Sequence, residues 1–139
     1  MELVTAGGVG APQLRVDLDG HPGAIARARD AADAFLTTLA QSVPPAGDRA
    51  RDDVLLVVSE LVTNAVRHAP GPLTLRLAHV VSGVRVSVRD TGAALPRSRS
   101  GDLEGGTGGF GWSIVRRLAH SLEVVPQQDG KEIHAVLPW

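Results

Sequence analysis

Hydrophobic positions recur along the chain with two periods, and the switches between them mark out its elements. In "QLRVDLDG", Leu14, Val16 and Leu18 alternate with polar residues, which predicts a half-buried strand. "HPGAIARARDAADAFLTTLAQ" changes to helical spacing, with Pro22 near its start, and "SVPPAG" breaks it. A second helix is expected from about Arg49 to His68, with Asp48 as its N-cap and "APGP" as its stop. Its Val54, Leu55, Val58, Leu61, Val62, Ala65 and Val66 form a broad apolar stripe at about 100° per residue. "LTLRLAHV" and "GVRVSVRD" return to alternation and read as a strand pair joined at Ser82-Gly83. No period survives in residues 92–108, "GAALPRSRSGDLEGGTG", which predicts a long loop; such loops inside compact domains are usually functional or disordered. "FGWSIVRRLAHS" restores helical spacing. "LEVVPQ" and "EIHAVLP" close the pattern as two strands around Gln128-Asp129-Gly130, where Asp-Gly favours a hairpin turn. This order predicts an α+β fold, a two-layer sandwich with a mixed, mostly antiparallel sheet and helices on one face.

Composition narrows the picture. The 139 residues fit one domain, 13–139, behind a Gly- and Ala-rich tail at 1–12 expected to be loose. A hydrophobic content of 43% supports a buried core, and a formal net charge of -1 leaves no basic excess for direct nucleic-acid binding or an anionic membrane. Without cysteine there are no disulfides or thiolate metal sites, in keeping with a reducing compartment. No apolar run nears the roughly 20 residues of a membrane helix, and the N-terminus lacks a signal-peptide core. The expectation is a soluble cytoplasmic protein.

Three features carry candidate chemistry. Glu60 and Asn64 lie one turn apart on the second helix, opposite the centre of its apolar stripe. Asn is unfavourable in a helix interior, and Leu56 and Val57 interrupt what would otherwise be a wet face. A carboxylate beside an amide oxygen suits hard-cation chemistry, the amide ligating Mg²⁺ and the carboxylate orienting water or a hydroxyl. Asp90 continues the inward run Val84, Val86, Val88, so it points into the apolar layer and needs a partner there. In "GGTGGFGWSIVRR", glycines lead into a helix whose first N–H groups can hold phosphate. Gly106, Gly108 and Gly111 match G-x-G-x-x-G, but no strand precedes them as a dinucleotide fingerprint requires, and no G-K-[ST] makes a Walker loop. Each feature, taken alone, also fits a plain structural role: a solvated helix face, an Asp capping its own turn, a flexible loop before a helix.

Together and in this order, the three stretches resemble the ATP-binding fold (the Bergerat type) shared by DNA gyrase, heat-shock chaperones of that superfamily, sensor histidine kinases and mismatch-repair ATPases. The short single-domain form is most similar to the bacterial anti-sigma-factor serine/threonine kinases. "SELVTNAVRHA" matches the N box, "VRDTGAALP" the first glycine box and "GGFGWSIVRRLA" the second. The resemblance implies ATP and Mg²⁺ as cofactors. It makes Asn64 the Mg²⁺ ligand, Glu60 the general base, and Asp90 the acceptor of the adenine amine, with Gly92 giving the purine room. Gly106, Gly108, Gly109, Phe110 and Gly111 would form the phosphate-binding turn, with backbone N–H groups of Gly109 and Gly111 on the phosphates. Residues 93–108 would be an ATP lid in which Arg97 and Arg99 are phosphate contacts. Implied partners are a sigma factor and a small antagonist protein that is phosphorylated, and the family's anti-sigma members commonly form homodimers. Two other functions stand beside this one: a nucleotide-binding interaction module with little turnover, and the ATPase domain of a sensor histidine kinase system. The chain departs from the family pattern at Ala94, at Thr107, and at Glu132, where a Thr near the adenine is frequent. Arg67 and His68 receive no role beyond cations near a helix C-terminus.

Overall fold

The computed structural model describes residues 2–5, 12–92 and 108–139. Its strands are β1 (Glu2–Thr5), β2 (Pro12–Leu18), β3 (Leu73–Val80), β4 (Gly83–Asp90), β5 (Ser121–Gln127) and β6 (Gly130–Leu137). Its helices are α1 (Gly23–Ser42), α2 (Ala50–His68) and α3 (Gly108–Leu118). They make the expected α+β sandwich, one sheet ordered β1-β2-β3-β4-β6-β5 under the helices. Among the described residues every pairing is antiparallel, so the sheet seen there has no parallel pair.

Alternation sorts each strand into two faces, and the register aligns the inward sets. Val16, Leu75, Val88, Ile133 and Val124 form one cross-strand row, and Leu14, Leu77, Val86, Ala135 and Leu122 the next. Most of these side chains are buried against the helices. α1 lies over β2 and β3 and α2 over β4 and β6, while α3 packs on the free flank of α2. Alanines at 24, 28, 31 and 32 let α1 approach closely, with Phe35, Leu36 and Leu39 filling the space beyond them. Flanked by both other helices, α2 has no fully wet side, which accounts for a buried Val57 between its polar residues.

Three local expectations are corrected. Glu2–Thr5 is a strand, pairing with β2 from Glu2↔Arg15 to Thr5↔Pro12. Its backbone satisfies groups that β2 would otherwise expose as a sheet edge. The cap of α2 is Arg49 rather than Asp48, which sits in the preceding turn; the helix start carries no side-chain cap bond. Asp52 and Asp53 in the first turn, with Arg67 and His68 in the last, complement the helix dipole instead. The β3–β4 turn is Val81-Ser82, one residue earlier than expected, because Val80 pairs with Gly83. Gly83 has φ +146, and a Cβ there would collide with the carbonyl oxygen of Leu137. Gly83→Ala is therefore expected to destabilise the protein by about 2 kcal/mol or more, read as a urea-unfolding shift; an unchanged midpoint would refute this account of the turn.

Candidate functional site

The site is built on α2 and on the ends of β4 and β6. At the far end of the inward face, the apolar rows give way to a charged pair. Asp90 follows Val84, Val86 and Val88 inward and is only 3% exposed. Its register partner across the β4–β6 ladder is Lys131, 5% exposed. Lys131 Nζ donates to Asp90 Oδ1 at 2.9 Å and lies 3.5 Å from the carbonyl oxygen of Gly92. The backbone N–H of Gly92 donates to the same Oδ1 at 2.9 Å. Asp90 thus does two things at once: it points into the core layer and it caps its own turn. A charge so deeply withdrawn from water is tolerable only with partners of this kind.

Gly92 is where the chain leaves β4, and its place is fixed by α2. A Cβ at Gly92 would collide with Cβ of Ala69, the C-cap of α2, and would stand 3.1 Å from its Cα. The observed reason for this glycine is close passage over the helix end. Residue 132 is also reassigned. Glu132 pairs with Arg89 on the outer face, where it forms an ion pair with Arg76 and accepts from Gln127 Nε2 at 3.3 Å. Lys131, sharing the inward face with Ile133, Ala135 and Leu137, is the β6 residue beside Asp90.

Glu60 and Asn64 are half-buried on α2. Glu60 is met by α3: a Cβ at Gly111 would collide with Glu60 Oε2 and stand 2.9 Å from Cδ. Glycine lets the first turn of α3 press its backbone onto this carboxylate. Trp112 and Val115, both buried, fasten that turn to the core. The N–H groups at the start of α3 have no partner within the helix and carry its positive dipole end.

Residues 21–137 match the model of the histidine kinase-like ATPase domain family. The chain belongs to that family. A solved structure similar to this ATPase domain is the histidine kinase domain of the blue-light activated histidine kinase EL346 from Erythrobacter litoralis. Identity is 23% and the TM-score 0.51, over 77% of this chain and 60% of that one, a likeness of fold. No curated protein matches the sequence. No helix among the described residues is long and apolar enough to cross a membrane.

The residues of the ATPase domain fit a nucleotide. The buried carboxylate offers an acceptor where the sheet ends, and the glycine turn offers backbone donors beside Glu60. Of the residues expected in the site, Glu60 meets Gly111, Asp90 meets Gly92, and Asn64 lies one turn from Glu60 toward the helix C-terminus. Gly108, Gly109 and Phe110 open α3. Gly106, Arg97, Arg99, Ala94 and Thr107 lie outside the described residues, as does nearly all of the expected lid. Sequence reading missed Lys131 and Ala69. Lys131 had a signal: every second residue back from Leu137 leads to it, and it is the only lysine in the chain.

Proposed function

We propose that this ATPase domain is a protein serine/threonine kinase of the anti-sigma type, acting in the cytoplasm by exchanging partners between a sigma factor and a small antagonist. The observation that carries the reading is the order of polar groups along α2. The carboxylate of Asp90 stands beside Gly92 at the helix C-terminus, Asn64 comes next, and Glu60 lies furthest along, against the start of α3. At about 1.5 Å per residue, Glu60 is roughly 13 Å along the helix from Ala69. A nucleotide laid along α2 with its base at Asp90 would direct its phosphates toward Asn64, Glu60 and the glycine turn.

Each residue then has one task. Asp90 accepts a hydrogen bond from the exocyclic amine of the base. Asn64 would hold Mg²⁺ through its amide oxygen, and the metal would supply charge neutralisation at the phosphates. Backbone N–H groups of Gly109 and Gly111, with Arg97 and Arg99 from the lid, neutralise phosphate charge. Glu60 takes the proton of an attacking serine or threonine hydroxyl at its carboxylate. ATP supplies the transferred group, and the protein's part is chiefly positioning.

The test is affinity capture from the native cell with ATP or ADP added, followed by phosphoryl transfer to the captured proteins. A co-purifying sigma factor and a small protein phosphorylated on serine or threonine are expected. Transfer to histidine on a partner would instead place the chain in a sensor-kinase system, and nucleotide binding without transfer would make it an interaction module.

A further inference from the structure

The face of the sheet turned away from the helices carries a recess that the nucleotide reading does not use. One outward row runs Gln13, Ala78, Arg85 across β2, β3 and β4, and the next runs Arg15, Arg76, Ser87. Ala78 is the short member of its row. Its methyl leaves a gap between the amide of Gln13 and the guanidinium of Arg85, and Ala78 itself is only 7% exposed. Arg76 and Ser87 close that gap from the neighbouring row, so that these side chains line one cleft. Its open volume is about 250 Å³, part of it continuous with solvent. Sites for drug-sized molecules run to roughly 300–1,000 Å³, so the cleft suits a small group. The charges around it are arranged against their own repulsion. Arg76 and Arg85 are diagonal neighbours on adjacent strands, and Arg15 is the register partner of Arg76; like charges so placed destabilise a sheet. Glu132 takes one guanidinium nitrogen of Arg76, while Arg85 has no ion pair among the described residues.

We propose that this recess binds a phosphate group, at a site separate from the nucleotide and on the opposite face of the sheet. Four side chains bring donors to it: the guanidinium groups of Arg76 and Arg85, the amide of Gln13 and the hydroxyl of Ser87. Ser87 is 2% exposed, and its Oγ lies 2.7 Å from His134 Nδ1. With Nδ1–H donating to that oxygen, the hydroxyl hydrogen is left for the recess. A carboxylate has two oxygens in one plane and meets only part of such a set. Phosphate directs its oxygens to the corners of a tetrahedron, and an arginine fork takes two of them side by side. A dianion between Arg76 and Arg85 also turns their mutual repulsion into attraction to a shared centre. The group can arrive as inorganic phosphate or as a phosphomonoester, since the cleft is open on the side where an ester substituent would leave.

The experiment is a backbone amide NMR titration of the whole chain at constant ionic strength, with chloride replaced by inorganic phosphate or by phosphoserine. Saturable shifts at Gln13, Ala78 and Ser87 are expected, with a dissociation constant of about 1 mM or below. Arg85→Gln should weaken binding at least about tenfold. Ala78→Val fills the recess without touching a charge, in a strand that favours a β-branched residue, and should weaken it as much. Arg89→Gln removes a charge of the same face outside the recess and should change affinity by less than about twofold. Tighter binding of phosphoserine would make an ester borne by another molecule the occupant, and equal affinities the free ion; either upholds the site. Shifts that never saturate with either probe overturn it. Wild-type affinity in Ala78→Val, or equal losses in Arg85→Gln and Arg89→Gln, overturn it as well, since both mean diffuse attraction to an arginine-rich face. Shifts confined to the start of α3 also overturn it and leave the nucleotide reading standing.

Discussion

Asp90→Asn is expected to do two separable kinds of damage. The first is to stability. Asn keeps the shape and can still accept from Gly92 N–H, but it leaves the ammonium of Lys131 buried without a counter-charge. Breaking a buried ion pair from one side typically costs about 3–5 kcal/mol, because the surviving charge stays desolvated. The second is to ligand binding: loss of the carboxylate should weaken ATP affinity at least about tenfold, or about 1.4 kcal/mol. The double variant Asp90→Asn, Lys131→Met separates them. It should recover much of the stability, since an apolar replacement of a buried pair is often neutral, and recover none of the affinity. Urea unfolding and calorimetry read the two effects independently. Wild-type stability in Asp90→Asn would mean that the pair does not hold the sheet end; wild-type ATP affinity would mean that the base does not face this carboxylate.

Glu60→Ala is expected to lower phosphoryl transfer by about 10²–10⁴ while preserving Mg-ATP binding, the range associated with loss of a positioned general base. Transfer at the normal rate would remove Glu60 from that role. Gly111→Ala approaches the same carboxylate from the other side. Its methyl would meet Oε2, the end of a flexible side chain, so Glu60 can swing away at little cost to the fold. Stability should therefore change little, and transfer should fall in the direction seen for Glu60→Ala. If Gly111→Ala transfers as fast as wild type, contact between the glycine turn and Glu60 has no bearing on the chemistry.

Legibility followed the range of the interaction. The helices and five of the six strands could be read because their spacing is a local property of the chain. The inward direction of Asp90 was legible for the same reason, as the fourth member of an alternating run. β1 was not, since Glu2–Thr5 forms a strand through its pairing with β2 and not through any pattern of its own. The reason for Gly92 was out of reach too: it passes over Ala69, which a sequence cannot place next to it. The resemblance drew attention to residue 132 on the closing strand, one place from the residue that stands beside Asp90. Carrying the alternation of β6 back from Leu137 would have chosen Lys131 and sent Glu132 to the outer face. A one-residue slip in a strand exchanges its faces, and in this protein it exchanged a core lysine for a carboxylate on the opposite face of the sheet.

The order β4-β6-β5 has a consequence for how the protein comes into being. The last strand in sequence is interior to the sheet, inserted between β4 and the edge strand β5. The bond from Lys131 to Asp90 spans 41 residues and cannot form until that insertion is made. Contacts of such separation form only after the entropy of closing the intervening chain has been met. During synthesis the residues from β1 through α3 emerge first, and with them Glu60, Asn64, Asp90 and the glycine turn. The Asp90–Lys131 pair waits for β6. A nascent or truncated chain lacking β6 carries Glu60, Asn64 and Asp90 yet lacks the lysine that pairs with Asp90 in the finished sheet. A nucleotide bound as proposed would then stabilise only chains whose final strand is in place.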